Sequence, residues 1–134
     1  MDYQHEGGLR TLIVEDDPSS AILLSEILAG YGDCQSAAAG ESALELFEKA
    51  IVEDRPYDLI CLDIMLPGMD GQQVLEAMRR REQDLERESK IIMITALSST
   101  AALMTAFRAG ATSYLVKPIR KASLLLELRK FGLV

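Results

Sequence analysis

Short apolar segments alternate with longer segments of helical periodicity along this chain, and no other feature of the sequence restricts the fold as much. Four of the short segments are rich in Ile, Leu and Val and are bounded by polar or turn residues, a pattern typical of strands buried on both faces of a parallel sheet. A fifth segment, DCQSAAA, is weaker. The predicted strands are TLIV (11–14), DCQSAAA (33–39), DLICL (58–62), KIIMIT (90–95) and SYLVK (113–117).

The longer segments place apolar residues three and four positions apart, which predicts amphipathic helices. Gly30 and Gly110 are predicted to end the first and fourth of them. The mixed-sign segment RRREQDLERESK (79–90) is expected to be a solvated helix end followed by a loop. Because parallel neighbours need crossover connections, the alternation predicts a doubly wound α/β domain with a five-stranded parallel sheet and five helices. The predicted helices cover 18–29, 42–52, 72–86, 99–109 and 120–131.

Composition excludes several classes of function. The 134 residues suffice for one compact domain, and we expect a disordered tail over 1–8 and a single domain over 9–134. The net charge of −7 argues against direct binding to nucleic acid or to an anionic membrane. We expect a cytoplasmic protein, because the sequence has neither an apolar run of membrane-spanning length nor a signal peptide. Cys34 and Cys61 are too few for a disulfide framework or a zinc site and are expected to be structural.

Polar side chains follow the predicted strands at the edge where doubly wound sheets bind ligands, beyond the carboxyl ends of the strands. Crowded carboxylates repel one another unless a cation neutralises them. A cluster that offers only oxygen ligands suits Mg²⁺. The side chains at this edge are Glu15, Asp16 and Asp17 after the first strand, Asp63 after the third, Thr95 at the end of the fourth and Lys117 at the end of the fifth.

These groups have the chemistry of a receptor for a phosphoryl group. A metal ion, the Lys117 ammonium and the Thr95 hydroxyl would neutralise and hold phosphoryl oxygens around one carboxylate. Asp63 is the predicted nucleophile, since a buried strand holds it more rigidly than a loop would. A simpler role for Asp63 as a helix N-cap is disfavoured by the LPG that follows. Asp17, which precedes Pro18, is expected to be mostly such a cap.

Four motifs follow one another at the predicted strand ends. They are VEDDP (14–18), LICLDIMLPGMDG (59–71), MITA (93–96) and SYLVKP (113–118). In this order they resemble the receiver domain of two-component response regulators, over roughly residues 10–131. The resemblance implies a flavodoxin-like strand order of 2-1-3-4-5. It also implies a switch that is not an enzyme in the usual sense, although it assists its own phosphorylation and dephosphorylation. The phosphoryl group would come from a histidine kinase or a histidine phosphotransfer protein.

The resemblance assigns the phosphoryl and metal site to named residues. Asp63 would accept the phosphoryl group and contribute to binding of the cofactor Mg²⁺. Asp16 would bind the metal directly and Glu15 through water, and the backbone carbonyl of Met65 would be a further ligand. Lys117 would pair with the phosphoryl oxygens, and a cis peptide bond is expected between it and Pro118.

The resemblance also implies a switch and a rate of dephosphorylation. Thr95 would hydrogen-bond to the phosphoryl group and shift when it arrives, and Tyr114 matches the aromatic position whose rotamer is coupled to that shift. Met65 and Leu97 stand two residues after the acceptor and two residues after the threonine. Both are apolar, so neither can orient an attacking water by hydrogen bonding, and we predict a comparatively long-lived aspartyl phosphate.

Two other functions are compatible with parts of the pattern. A Mg²⁺-dependent phosphohydrolase of the haloacid dehalogenase type also forms an aspartyl phosphate, but it requires a second acid where this chain has Met65. A receiver-like module that binds partners without phosphorylation is disfavoured, because all the expected functional groups are present.

We expect phosphorylation to reshape the surface formed by the fourth helix, the fifth strand and the fifth helix for partner binding. Arg108, Arg120 and Lys121 are predicted to be exposed there. The downstream partner would be a protein of unknown identity, and no output domain is expected within these 134 residues. Three questions stay open: whether phosphorylation produces a homodimer, which kinase acts on the chain, and whether the domain belongs to a longer regulator.

Overall fold

A computed structural model describes residues 8–134, which form one parallel five-stranded sheet with helices on both faces. The strands are β1 (Thr11–Val14), β2 (Cys34–Ala37), β3 (Leu59–Leu62), β4 (Lys90–Thr95) and β5 (Ser113–Val116). The helices are α1 (Pro18–Leu28), α2 (Gly40–Val52), α3 (Gly71–Glu82), α4 (Thr100–Arg108) and α5 (Lys121–Lys130), and a short 3-10 turn covers Ala29–Tyr31. The strand order β2-β1-β3-β4-β5 confirms the predicted doubly wound, flavodoxin-like fold. The predicted tail lies outside the described residues, apart from Gly8.

Backbone pairing brings the ends of the strands together at the carboxyl edge of the sheet. The Asp63 amide donates to the Val14 carbonyl over 3.0 Å, so Glu15 and Asp63 continue two neighbouring strands side by side. β4 lies on the other side of β3. The Lys117 amide, which follows β5, donates to the carbonyl of Thr95 at the end of β4 over 2.8 Å. The register therefore delivers the predicted site residues to one edge.

Two apolar layers explain why the strand segments are continuously hydrophobic. Leu12 and Val14 of β1 pack with residues of α2 and α3 that include Phe47, whereas Ile13 packs with residues of α1 and α5 that include Leu128. Both faces of the central strands are thus buried, as parallel sheets require. Burying one such Leu or Ile side chain contributes about 1.5–3 kcal/mol to folding. Within the described residues, no helix is long and apolar enough to cross a membrane.

The ends of several elements differ from the predictions. The prediction that Gly30 ends the first helix is wrong, because α1 ends at Leu28 and Gly30 lies within the 3-10 turn that follows. α2 begins at Gly40, two residues before the predicted start. α3 ends at Glu82 and does not reach residue 86. Gly110 does follow the end of α4, and its φ of +106° is a conformation that side chains other than glycine rarely adopt.

The prediction that the charged segment 79–90 is solvated is wrong for Arg79, Glu82 and Ser89, the last of which is only 2% exposed. Arg79 and Glu82 form an ion pair of 2.6 Å, and their side chains are only 14% and 3% exposed. Burying two charges costs free energy unless both are well paired. This segment therefore contributes to the interior of the protein as well as to its surface.

Candidate functional site

The acidic run that follows β1 is divided between a helix cap and the sheet edge. Asp17 caps α1, since its Oδ2 accepts hydrogen bonds from the Ser20 amide over 3.3 Å and from the Ser20 hydroxyl over 2.8 Å. Pro18 occupies the first position of the helix, where its missing N–H is not needed. The predicted cap is confirmed. Glu15 is buried and Asp16 is exposed, and neither caps the helix.

Asp63 is buried at the end of β3 and both of its carboxylate oxygens have partners. Its exposed fraction is 4%. Oδ1 accepts a hydrogen bond from the Met65 amide over 3.0 Å, and Oδ2 accepts one from Lys117 Nζ over 2.8 Å. The side chain therefore points to the site and not into the apolar core.

The loop after Asp63 has its own helix cap, so Asp63 is not needed for one. Asp70 caps α3 by accepting from the Gln73 amide, and the Gln73 side chain accepts from the Asp70 amide, both over 3.0 Å. Gly71 then passes so close to β3 that a Cβ atom there would lie 2.1 Å from the Asp63 carbonyl oxygen. Only glycine can occupy this position without moving the backbone that carries Asp63.

Lys117 joins the two buried acids. Its Nζ lies 2.8 Å from Asp63 Oδ2 and 2.7 Å from Glu15 Oε1. The contact with Glu15 is an ion pair, and Glu15 Oε1 has no regular hydrogen bond from any residue in the described range 8–134. Partial burial by itself would lower the pKa of Lys117, but the contacts with Asp63 and Glu15 outweigh burial and raise it. The Lys117–Pro118 peptide bond is cis, as expected.

The cluster carries more negative than positive charge. One carboxylate oxygen from each of Glu15, Asp16 and Asp63 lies within 4.8 Å of the others. Burial raises the pKa of Glu15, and the charge of Asp63 adds to this effect, while the contact with Lys117 and the backbone hydrogen bond from Asp17 oppose it. Three carboxylates lie near a single ammonium, so the cluster has excess negative charge that a second cation would neutralise. The metal ligands that the cluster offers are carboxylate oxygens, and among the described residues Glu15 Oε1 accepts no hydrogen bond, which fits Mg²⁺.

Thr95 and Tyr114 are connected through the backbone of Leu97. Thr95 is fully buried, and its Oγ1 accepts from the Leu97 amide over 3.4 Å. The Tyr114 hydroxyl donates to the Leu97 carbonyl over 2.8 Å. Burial raises the pKa of Tyr114, and the charge of Asp63 adds to this, so the hydroxyl stays protonated as a donor. A shift of Thr95 would therefore reach Tyr114 through the backbone of Leu97.

Sequence reasoning found the side chains of this site but missed two backbone contacts. The Met65 amide orients Asp63, and the Leu97 backbone links Thr95 to Tyr114. Leu97 was named only for its apolar side chain, and Met65 for its apolar side chain and its backbone carbonyl; in the structure the Met65 side chain is exposed and the Leu97 side chain is half-buried. No side-chain pattern could have revealed them, because any residue type except proline donates through its amide.

Comparisons with known proteins agree with this arrangement. The family model described as the response regulator receiver domain matches residues 11–129. The DNA-binding response regulator MtrA of Mycolicibacterium smegmatis is 36% identical over 120 residues, which are 90% of this chain and 49% of MtrA. The transcriptional regulatory protein TcrA of Mycobacterium tuberculosis is 33% identical over 91% of this chain and 45% of its own length. The chain thus spans about half the length of these relatives.

Solved structures share the whole fold. A CheX–CheY–BeF3–Mg²⁺ complex from Borrelia burgdorferi contains a chain with a TM-score of 0.84 and 25% identity, over 98% of this chain and 95% of that one. The BeF3-activated N-terminal receiver domain of RstA from Klebsiella pneumoniae has a TM-score of 0.74 and 31% identity, over 90% of this chain and 96% of that one. This chain belongs to the response regulator receiver domain family of two-component signalling.

Proposed function

We propose that Asp63 is the phosphoryl acceptor of this receiver domain. The observation that carries the proposal is that Lys117 Nζ contacts both Asp63 and Glu15, within a group of three acids at the carboxyl edge of the sheet. Asp63 is held on a rigid strand, is shielded from bulk water and faces a fixed positive charge. Phosphoryl transfer needs such positioning and charge neutralisation more than it needs a strong base.

The phosphoryl donor would be a phosphohistidine on a histidine kinase or a histidine phosphotransfer protein. An Asp63 oxygen would attack phosphorus, so that a P–O bond forms while the donor's P–N bond breaks and its electron pair stays on the histidine nitrogen. The Met65 amide holds Oδ1, which leaves Oδ2 as the oxygen that we expect to react. Lys117, already 2.8 Å from Oδ2, would then pair with the phosphoryl oxygens.

Mg²⁺ is the proposed cofactor of this step. Asp16 and Asp63 would bind it directly, Glu15 would bind it through water, and the Met65 carbonyl would be a further ligand. The ion would neutralise the acids and the phosphoryl oxygens as they approach. The geometry supports this assignment because the three carboxylates already converge and are short of positive charge.

The switch would act through Thr95, Leu97 and Tyr114. When Thr95 turns to hydrogen-bond with the phosphoryl group, its contact with the Leu97 amide is lost and the Tyr114–Leu97 contact is strained. The change would reach the surface formed by α4, β5 and α5. Arg108, Arg120 and Lys121 are exposed there, as predicted, and we propose this surface as the site for an unidentified protein partner.

The aspartyl phosphate would be comparatively long-lived, and the domain would assist its own dephosphorylation only weakly. Leu97 has no polar side-chain atom and the Met65 thioether is only a weak acceptor, so neither side chain can orient an attacking water. The lifetime can be measured by following the loss of the phosphorylated mass after desalting in Mg²⁺. Complete loss within seconds would contradict this expectation.

Nucleic-acid binding is not part of the function that we propose for residues 9–134. Relatives described as DNA-binding regulators are about twice as long as this chain, and the net charge of the full 134-residue chain is −7, which opposes contact with phosphates. A filter-binding assay with duplex DNA at low salt tests the proposal, and retention above that of an acidic control protein would contradict it.

Intact mass spectrometry after incubation with acetyl phosphate and Mg²⁺ tests the central proposal. We expect a gain of about 80 daltons, the mass of one phosphoryl unit, which Asp63→Asn and EDTA both abolish. The matched control is Asp58→Asn, because Asp58 is also a partly buried acid but lies at the other edge of the sheet, where it pairs with Arg87. A mass gain that survives in Asp63→Asn would place the acceptor elsewhere, and the absence of any gain would favour a module that acts without phosphorylation.

A further inference from the structure

A second cluster of polar groups, partly buried and partly half-buried, lies at the opposite, amino-terminal edge of the sheet. It is centred on Arg79 near the end of α3 and includes Glu82, Ser89 before β4, and Gly110 and Thr112 in the turn between α4 and β5. We call these five residues the Arg79 cluster. The proposed phosphorylation chemistry uses none of them.

Arg79 contacts four acceptors in three separate segments. Its Nε donates to the Gly110 carbonyl over 2.9 Å, and Nη2 donates to Thr112 Oγ1 over 3.3 Å. Nη1 donates to Glu82 over 2.6 Å and to the Ser89 carbonyl over 2.8 Å. A planar guanidinium can satisfy several acceptors at once, which a lysine ammonium cannot do in the same geometry. Arg79 therefore ties α3 to the turn that ends α4.

Further hydrogen bonds fasten the same groups to the sheet. Glu82 accepts from the Ser89 amide over 2.8 Å, and the Ser89 hydroxyl donates to the Tyr57 carbonyl over 2.6 Å. Thr112 exchanges two bonds with Ile91 of β4: its amide donates to the Ile91 carbonyl over 2.8 Å, and its hydroxyl accepts from the Ile91 amide over 2.9 Å. The turn after α4 is thus bonded to both a helix and the sheet.

The shape of the turn depends on the same contact. Gly110 has a φ of +106°, and a Cβ atom there would lie 2.9 Å from Arg79 Cγ and 3.2 Å from Nε. The Ala111 amide closes the end of α4 by donating to the Ala106 carbonyl over 3.0 Å. Glycine is required for the backbone conformation and also for the approach of the arginine.

The amino-terminal end of α4 forms fewer hydrogen bonds with its surroundings than the carboxyl-terminal end does. Ser99 caps the helix through an exposed hydrogen bond of 3.1 Å, and Gln72 donates to the Ala102 carbonyl over 3.2 Å. The segment before the cap is held by the Leu97 contacts with Thr95 and Tyr114, which belong to the proposed switch. One end of α4 therefore depends on the phosphorylation site, and the other end depends on the Arg79 cluster.

We propose that the Arg79 cluster is the fixed pivot of α4, so that phosphorylation displaces residues 96–104 while residues 108–112 stay in place. Arg79 is then a positioning residue that directs the response along α4. The inference rests on the proposed function of Asp63, because the displacement begins at Thr95. Paired charges with little exposure resist rearrangement, since each broken contact leaves a desolvated group without a partner.

Hydrogen exchange measured by mass spectrometry tests the pivot in the full chain, in Mg²⁺ with and without beryllofluoride. In the unmodified protein we expect exchange in 96–104 to change when beryllofluoride is added and exchange in 108–112 to remain the same. In Arg79→Met we expect 108–112 to exchange about tenfold faster or more, because several hydrogen bonds that hold the turn are lost. The beryllofluoride response should then spread into 108–112.

Control variants separate a pivot from a general loss of stability. Arg80→Met changes the adjacent, exposed arginine and should leave both segments as they are. Leu128→Ala removes buried side-chain volume in the other apolar layer and should change exchange in both segments by a common factor. If Arg79→Met does not fold, then Arg79→Lys and Thr112→Val, which remove only part of the network, should produce the same pattern with a smaller factor of about three.

Each outcome decides for or against the pivot. It is overturned if beryllofluoride alters 108–112 of the unmodified protein as much as 96–104, or if the Arg79 variants exchange normally in 108–112. Either result leaves the phosphoryl mass gain at Asp63 intact, so the proposed function would survive. If there is no mass gain and no response in 96–104, both proposals are overturned together.

Discussion

The two edges of the sheet both bury ionised side chains, but they satisfy them very differently. At the carboxyl edge, Glu15 and Asp63 share one ammonium, and apart from that ion pair no described residue contacts Glu15 Oε1 as a hydrogen-bond donor. At the amino edge, Arg79 has four acceptors and Glu82 has two donors. The first edge has a surplus of negative charge, whereas the charges of the second are balanced.

This difference in charge balance indicates that the carboxyl edge is a ligand-binding site and that the amino edge stabilises the fold. A surplus of carboxylates is costly in the free protein and becomes favourable only when a cation or a phosphoryl group changes the charge balance. A ligand would not stabilise a balanced buried pair further, and the loss of either partner lowers the stability of the folded protein strongly. Burial of charge alone therefore does not identify a functional site in this protein, and the balance of charge within each cluster is what separates the two edges.

The largest effect should come from breaking the balanced edge. Arg79→Met leaves Glu82 buried without a counter-charge, and we expect the free energy of unfolding to fall by about 3–5 kcal/mol. Urea denaturation followed by far-UV circular dichroism measures the loss. Arg80→Met, on the exposed face of the same helix, should stay within about 0.5 kcal/mol of the unmodified protein. A loss below about 1 kcal/mol for Arg79→Met would show that the cluster is not a tightly balanced network.

Mg²⁺ should act on the unbalanced edge alone. A ligand that binds only the folded state at a hundred times its dissociation constant stabilises that state by about 2.7 kcal/mol. We expect Mg²⁺ to raise the urea midpoint relative to EDTA, and Asp16→Asn to remove most of this increase because a direct ligand loses its charge. Arg79→Lys, altered at the other edge, should keep the full response to Mg²⁺. An unchanged midpoint in the unmodified protein would contradict the metal assignment.

Removing the acceptor should stabilise the protein when no metal is bound. Asp63→Asn relieves repulsion with Glu15, keeps an acceptor for the Met65 amide and leaves Lys117 paired with Glu15. We expect a gain of about 1 kcal/mol in EDTA, as is common when a functional charge is neutralised. Asp84→Asn, at an exposed acid, is the matched control and should have no measurable effect. A clear loss of stability in Asp63→Asn would mean that the carboxyl edge is balanced after all.

The sequence predicted the unbalanced edge far better than the balanced one. The apolar runs of β1 and β4 were located to the residue, and the polar side chains that follow the strands identified Glu15, Asp16 and Asp63 as neighbours because parallel strands share one edge. The Arg79 cluster could not be predicted in this way. Its mixed-sign segment has the composition of a solvated surface, and its burial depends on acceptors such as the Gly110 carbonyl, which lies 31 positions away in sequence. Long-range pairing of this kind leaves no local pattern.

The smallest effect on stability should come from replacing a second arginine of α3. This comparison shows how strongly the contribution of an ion pair depends on burial. Arg81 lies 2.6 Å from Glu48, the same distance as in the Arg79–Glu82 pair, but the two side chains are 37% and 48% exposed. Water and salt screen such a pair, so Arg81→Met should leave the urea midpoint almost unchanged.

The hydrogen bond from Arg81 lowers the pKa of Glu48, so any contribution of this pair is present above the ordinary pKa of a glutamate and is lost as the pH falls through the lowered value. A comparison of the two proteins at pH 7, in low salt and in 1 M salt, measures it, and we expect their difference to disappear in high salt. If Arg81→Met proved as damaging as Arg79→Met, the short distance and not the burial would determine what an ion pair contributes here, and the contrast between the two edges would lose its physical basis.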